Sequence, residues 1–476
     1  MTSIFHPRKL LYPLLLSIAM IAGVTSCGDD EEQCTPGTAQ GCEEEGRVCE
    51  NVQGGTPACF IPVVIRGRVF DSATNAGIQD AAIVALDLNG APRTGTTFSR
   101  PDGTYDLGVQ TTRTADGTPA EPFDVTLRVS AGFYQTFPTP PRTALPFTTG
   151  DAVSDGSAYV IQNPATDVAL IKLEVDTSTF GAIAGKVDFP PGPGGVLVVA
   201  EQGGTAVSTA VTDSGGNFTL YNVPAGDTLL DGYRAGVNVT EQTVSVAAMV
   251  RTEGVVLAAS ADGLSVVSGD LSFPNPGDCG ATSVILVVES TFIESVARGE
   301  APTGLRVGDV TGPWSIPDVP PGSYVVLAAF ENDHCVRDPD PCMGGTTIQH
   351  IDVPTTTMVT ESFKVTGALA TLSPGAMGTE LVTAPPTYSW EDDSSEDLYE
   401  FRLYDAFGTV VHENLAVPSV SSGTVSYTPA GVTYEDGMLY QFRVWSARRD
   451  GMCRISATED LLGVFLYDST PPMMSM

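Results

Sequence analysis

Basic residues are scarce in this chain. Lysine and arginine total 23 against 57 aspartate and glutamate residues, a formal net charge of −34 over 476 residues. Phosphate groups are bound through clustered Lys and Arg, so the charge argues against nucleic acid and against an anionic bilayer surface as partners. Histidine is scarcer still, with four in the chain. There is no Gly-x-Ser-x-Gly elbow and no His-Glu-x-x-His helix, so the familiar hydrolase and metalloprotease patterns are missing. Stretches with helical periodicity are hard to find. Charged residues make up 17% and apolar ones 42%, too apolar a balance for a disordered chain. What is abundant is glycine (50), proline (35), valine, threonine and serine. That mixture reads as all-β with many turns.

The chain opens on a basic segment, His6-Pro7-Arg8-Lys9, followed by an apolar run from Leu10 to Gly23. A basic flank, a short apolar stretch and small residues make a secretory signal. The run is short of the about 20 residues that a spanning helix needs, and Pro13 interrupts it. It ends in Val24-Thr25-Ser26-Cys27, which resembles the lipobox of bacterial lipoproteins. The resemblance implies cleavage after Ser26 and acylation of Cys27. Two or more acyl chains hold a protein stably on a bilayer. Gly28 follows in place of the aspartate that resembles an inner-membrane retention signal, which favours the outer membrane of a Gram-negative cell, with its facing open. The expected organisation begins with a signal peptide over 1–26 and an acidic tether over 27–33.

Eight cysteines remain after Cys27, an even number that suits disulfides in an exported chain. Cys34, Cys42, Cys49 and Cys59 crowd a segment over 34–61 that is too short to bury a core unaided. Two disulfides are expected there, in any of three pairings. The spacers are wider than zinc ribbons use, so no metal is assigned. In the loop 331–344 a Cys335–Cys342 clip is expected, with Asp333, Asp338 and Asp340 as a polar, oxygen-rich surround. Cys279 and Cys453 are left to bridge neighbouring domains or to exchange partners with that pair.

An irregular repeat runs from Val63 to about Val365. Its first signature is an alternating strand with a central glycine: Ile65-Arg66-Gly67-Arg68-Val69, Ile183-Ala184-Gly185-Lys186-Val187 and Val267-Ser268-Gly269-Asp270-Leu271. Period-two alternation leaves one face to bury and one wet. The second signature is a turn glycine, an aromatic residue and an aliphatic residue two further on: Gly103-Thr104-Tyr105-Asp106-Leu107, Gly216-Asn217-Phe218-Thr219-Leu220 and Gly312-Pro313-Trp314-Ser315-Ile316. A further turn is read at Asn222-Val223-Pro224-Ala225-Gly226 and Asp318-Val319-Pro320-Pro321-Gly322. In this order the signatures resemble carboxypeptidase regulatory-like domains and their CnaB-type, prealbumin-like relatives. The resemblance implies three β-sandwiches, over 62–176, 177–260 and 261–366. It imports no peptidase activity, because the zinc ligands of that family lie in a separate catalytic domain. Some CnaB-type domains carry a lysine–asparagine cross-link; Lys186 with Asn217 or Asn222 is the place to look.

The segment 367–470 has another pattern. Trp390 ends one strand, Tyr399, Phe401 and Leu403 share a face of the next, and Tyr440, Phe442 and Val444 share a face of a later one. This spacing resembles fibronectin type III domains. Trp445 falls on the opposite parity, beside Arg443 and near Arg402. Arginine interleaved with tryptophan on a sheet face makes either a recognition face or a plain covered surface; these three are the ligand-binding candidates. Residues 471–476 are a tail. The whole reads as an all-β rod of tandem sandwiches after a small disulfide-rich segment. The expected role is non-enzymatic and without cofactor: adhesion, ligand binding or scaffolding at the cell envelope. The alternative is a polysaccharide-binding accessory lipoprotein. The expected partners are a membrane, through the acyl anchor, and an unknown protein or glycan.

Overall fold

The computed structural model describes residues 34–470, apart from 190–193, 276–278, 329–332, 338–344, 354–355, 360–361, 394, 449–450 and 452. The leader with Ser26, the tether with Cys27, the cysteine at 342 and the tail 471–476 lie outside the described residues. Among the described residues the chain consists of strands, turns and short 3-10 segments, with no α-helix. No helix there is long and apolar enough to cross a membrane.

The two repeat signatures are cross-strand partners. In the first unit, strand Val63–Asp71 lies antiparallel to Thr104–Val109, with Gly67 opposite Tyr105. In the second, Phe180–Asp188 lies beside Asn217–Pro224, with Gly185 opposite Phe218. In the third, Ser265–Gly269 lies beside Trp314–Val319, with Gly269 opposite Trp314. The glycine is the space in which the ring sits. A Cβ on Gly185 would stand 2.6 Å from Phe218 Cζ, and one on Gly269 would stand 2.6 Å from Trp314 Cζ2. At Gly67 the obstacle is the Thr166 carbonyl oxygen at 2.0 Å, with the Tyr105 hydroxyl at 2.9 Å. All three rings are buried. The same glycine strand also pairs in parallel with a later strand: Val168–Leu170, Arg251–Ala258 and Thr356–Met358. Each unit closes with a second sheet, centred on Ala82–Leu86, Leu197–Gln202 and Thr282–Val288.

The turn expected after the second signature begins as a β-bulge. Pairing steps from Ile183↔Leu220 to Gly181↔Val223, and from Val267↔Ile316 to Ser265↔Val319. Two residues therefore face one. The extra residue is Asn222 in one unit and Asp318 in the other, both at φ 56°. Asn and Asp tolerate that left-handed conformation better than other side chains.

The last unit pairs a three-stranded sheet with a six-stranded one. Trp390, Tyr399, Phe401, Leu403, Tyr440, Phe442 and Val444 fill one cluster between them, so the alternation read from the sequence marks its core. At the other end of the chain, strand Val48–Val52 of the disulfide segment lies beside Thr112–Arg113 of the first unit. Glu50 and Arg113 form an ion pair there with both side chains excluded from water.

The disulfides are Cys34–Cys49, Cys42–Cys59 and Cys279–Cys335. The expected Cys335–Cys342 clip is corrected: Cys335 is bonded to Cys279. Both are fully buried, and Cys335 opens a strand, Cys335–Arg337, that shares a sheet with Leu271–Asn275. The bond staples a core; it does not clip a loop. Cys453 is also disulfide-bonded.

The units do not string out into a rod, which overturns the extended reading. Asn222 at the bulge accepts from the Phe133 N–H and donates to the Ala131 and Tyr134 carbonyls of the first unit. Arg128 of the first unit pairs with Glu300 of the third at 2.9 Å. One apolar cluster takes residues from the first three units, including Leu86, Val199 and Leu286. Another joins the first unit to Tyr404, Ala406, Leu439 and Val464 of the last. At that junction the Thr143 N–H donates to the Gly408 carbonyl, and Arg142 donates to the Phe407 carbonyl at 2.7 Å. Gly408 sits at φ +73°, and a Cβ on it would lie 1.9 Å from the Thr143 carbonyl oxygen.

Gly408→Ala is therefore expected to unseat the last unit from the first. Gly423→Ala is the control, since Gly423 is also at positive φ but has open space around its Cβ position. Both variants carry about 1–3 kcal/mol of backbone strain. Small-angle X-ray scattering should show a larger radius of gyration for Gly408→Ala alone, and identical profiles would reject the closed packing.

Candidate functional site

Closure of the four units leaves a cleft of about 1150 Å³ walled by the first, third and last of them. Its charge is opposite to that of the chain. Arg128 and Arg142 reach it from the first unit, Arg298 and Arg337 from the third, and Arg402, Arg443 and Arg454 from the last. Seven of the 23 basic residues thus line it, against four of the 57 acidic ones: Glu294, Glu300, Glu413 and Asp460.

The centre of the wall is Trp445, on strand Met438–Arg448. That strand is flanked by Leu398–Asp405 on one side and by Cys453–Ala457 and Val464–Tyr467 on the other. Register places Arg402 opposite Arg443 and Glu400 opposite Trp445. Both Arg402 and Arg443 guanidinium carbons lie 5.4 Å from the indole centroid, and that of Arg454 lies 4.9 Å away. Three guanidinium groups over one ring form a cation–π cluster in a partly desolvated wall. The structure therefore brings together the three residues singled out from the sequence. It adds Arg454, which parity alone missed because a bulge at Ser446 and Ala447 shifts the register of its strand.

Carboxylates hold these cations in place. Arg402 Nε donates to Glu413 at 3.1 Å, and Arg454 Nε donates to Glu400 at 3.0 Å. Arg443 and Arg298 share Asp460. Burial opposes the Asp460 charge, but the two guanidinium groups outweigh it and hold the carboxyl down to about 2. Its neighbour Glu459 behaves the other way. It is 4% exposed and its Oε1 has no hydrogen-bond partner among the described residues. Burial, with the negative charges of Asp333 and Asp460, pushes its carboxyl up to about 9. Glu459 is therefore a neutral acid at pH 7.

The remaining candidates are dispersed. His350 bonds Glu289 on the surface, and His412 bonds the Tyr427 hydroxyl at 2.9 Å. Neither bond reaches a serine or cysteine. Asp333 accepts from Thr282 and from the Cys335 N–H. Lys186 is exposed, and its cross-strand partner Asn217 donates to Asp213. The one grouping with metal-like spacing among the described residues, Cys34, Cys42 and Cys59, consists of disulfide sulfurs.

No protein-family model matches this chain. No curated protein matches it either. Among solved structures, the TIE protein of Bacillus anthracis is similar at 10% identity over 90% of this chain and 76% of that one, with a TM-score of 0.16. Two B repeat units of the collagen-binding protein of Staphylococcus aureus match at 10% identity over 85% of this chain and 99% of theirs, TM-score 0.17. BcpA, the major pilin subunit of Bacillus cereus, matches at 10% identity over 63% and 99%, TM-score 0.16. The all-β sandwich architecture stands on the strands and sheets themselves.

Glu459 sets a pH dependence of stability. An unfolded glutamate titrates near about 4.3, so the folded state keeps a proton that the unfolded state releases. Stability contributed here is full below that pH, falls as pH rises towards about 9, and is level beyond. Glu459→Gln should raise the Tm at pH 8.5 by several degrees and leave it nearly unchanged at pH 4.5. Calorimetry at both pH values checks the sign; equal shifts at the two would reject it.

Proposed function

We propose that this chain is a non-enzymatic recognition protein of the cell envelope, exported and held by acyl groups on Cys27, with the arginine-lined cleft as its ligand site. The observation that carries the reading is Trp445, set among three guanidinium groups in the wall of a large cleft. Tryptophan and arginine in partly desolvated clusters are the residue types that dominate binding energy. The reading of 367–470 as fibronectin type III-like, and of the three preceding units as regulatory-like, fits such a role, since both are sandwiches that present surfaces. The lipobox resemblance supplies the attachment, and the outer membrane remains the favoured location. Recognition of a protein is the first form of this reading. The polysaccharide-binding form is favoured by the open, side-chain-lined geometry of the cleft.

Two measurements test it. Mature chain applied to a glycan array and to intact cells should bind, and Trp445→Ala should weaken binding by about tenfold, as loss of an aromatic anchor does, with an unchanged Tm. Undiminished binding by that variant would remove the cleft from the account. For the anchor, Cys27→Ala should accumulate as an unprocessed precursor without acyl label; normal processing of that variant rejects the lipobox.

A further inference from the structure

The cleft is built for an anion, and the reasoning rests on its being the ligand site. A tryptophan in a sugar-binding wall ordinarily offers a bare face for a neutral ring to stack on. Here three guanidinium carbons already lie over the indole, at 5.4, 5.4 and 4.9 Å from its centroid. What the wall presents outward is the guanidinium groups that the indole orients.

Their donors are incompletely used. Arg443 is only 11% exposed and is spent on the protein: Nε and Nη2 go to Thr458 and Nη1 to Asp460. Arg402 is 24% exposed. Its Nε donates to Glu413, while Nη1 and Nη2 donate to nothing among the described residues. Arg454 is 35% exposed and uses Nε and Nη2 on Glu400, leaving Nη1. Two terminal nitrogens of one guanidinium make the fork that matches a carboxylate in two parallel hydrogen bonds. The surroundings leave the charge in surplus. Arg298 and Arg443 both pair with Asp460, and Arg142 is hydrogen-bonded to the Phe407 and Ala169 carbonyls, with the Asp405 carboxylate acting on it through space.

The position of the donors narrows the ligand class. Arg443 and Trp445 stand on a strand paired on both sides, and Arg402 stands on a strand paired with it and with Val410–Pro418. The main chain is therefore paired on both sides at Arg402, Arg443 and Trp445, where a peptide cannot add as a strand; Arg454 stands on Cys453–Ala457, which pairs on one side only. At those three residues recognition is by side chains on a sheet face. Val336, Val410 and Pro140 supply apolar wall nearby. A sugar acid offers both halves of the match, a carboxylate for the fork and a ring face of C–H groups for the wall.

We propose that the cleft binds an acidic polysaccharide, a chain of carboxylate-bearing sugars, with one carboxylate seated on Arg402 and Arg454. The test uses the mature chain with three polyuronates (polygalacturonate, alginate and hyaluronate), with fully methyl-esterified polygalacturonate, and with poly-L-glutamate. Binding is followed by calorimetry at 50 and 300 mM NaCl. At least one polyuronate should bind, and the higher salt should weaken it. Arg402→Gln and Arg454→Gln should each weaken it about tenfold, the order expected for a charge-assisted bond, while Arg402→Lys retains charge but loses the fork and recovers binding only in part. Arg47→Gln, remote in the disulfide segment, should bind as the parent does. Circular dichroism melts confirm that the variants are folded.

Failure of all three polyuronates overturns the proposal. So does equal affinity for the methyl ester, which would mark a neutral-glycan site and leave the cleft itself in place. Tighter binding of poly-L-glutamate than of any polyuronate also overturns it, in favour of an acidic peptide. If Trp445→Ala still abolishes binding of some other ligand on the array, the cleft reading survives while the acidic-sugar reading does not.

Discussion

A missing side chain opposite a ring is the contact on which three of the four sandwiches depend. Gly67, Gly185 and Gly269 each face an aromatic residue across a strand pair, and at the last two the ring occupies the space that a Cβ would take. The pair does more than fill space. It fixes register, since a one-residue slip would carry the ring to the other face of the sheet. With register set, the bulge two turns of the pleat further on falls at Asn222 and Asp318. The bulge in turn aims Asn222 at the neighbouring unit, where it holds three main-chain groups. A local packing rule thus propagates to the arrangement of whole domains.

That arrangement creates the cleft. Its walls come from three units, brought together by the Arg128–Glu300 pair and by the docking of the Phe407–Gly408 turn on Arg142 and Thr143. The charge pattern makes sense in the same frame. Strong net acidity keeps the particle soluble and self-repelling, and the few arginines available are concentrated where the units meet. Some of them are spent on holding the units together. Others, at Trp445, keep donors to spare.

Much of the fold was legible because period-two alternation and turn glycines report on strands directly. The residues placed in the last core, from Trp390 to Val444, followed from parity alone. So did the company of Trp445, Arg443 and Arg402, because all three lie on adjacent strands of one sheet. Arg454 did not, because a bulge within the pairing of its own strand breaks parity. The contributions of Arg128, Arg142, Arg298 and Arg337 were invisible for a different reason. Alternation describes one sheet at a time and carries no signal of how sandwiches stack, so the chain read as a rod. The cysteine at 335 shows the same limit. Proximity in sequence favoured Cys342, while Cys279 lies 56 residues from Cys335, beside a sheet that joins Leu271–Asn275 to Cys335–Arg337 through Phe363–Gly367.

The ion pair of Glu50 with Arg113 ties two parts of the molecule that differ in what makes them fold. Arg113 belongs to the first sandwich, whose core needs no covalent help. Glu50 sits next to Cys49 in a segment held by two disulfides. A buried guanidinium left without its carboxylate costs about 3–5 kcal/mol. Thiol reduction of the small segment would therefore be felt inside a domain that contains no disulfide at all. Formation of those disulfides becomes a folding step for the larger neighbour, and material made under reducing conditions would carry a stranded cation in place of a finished joint.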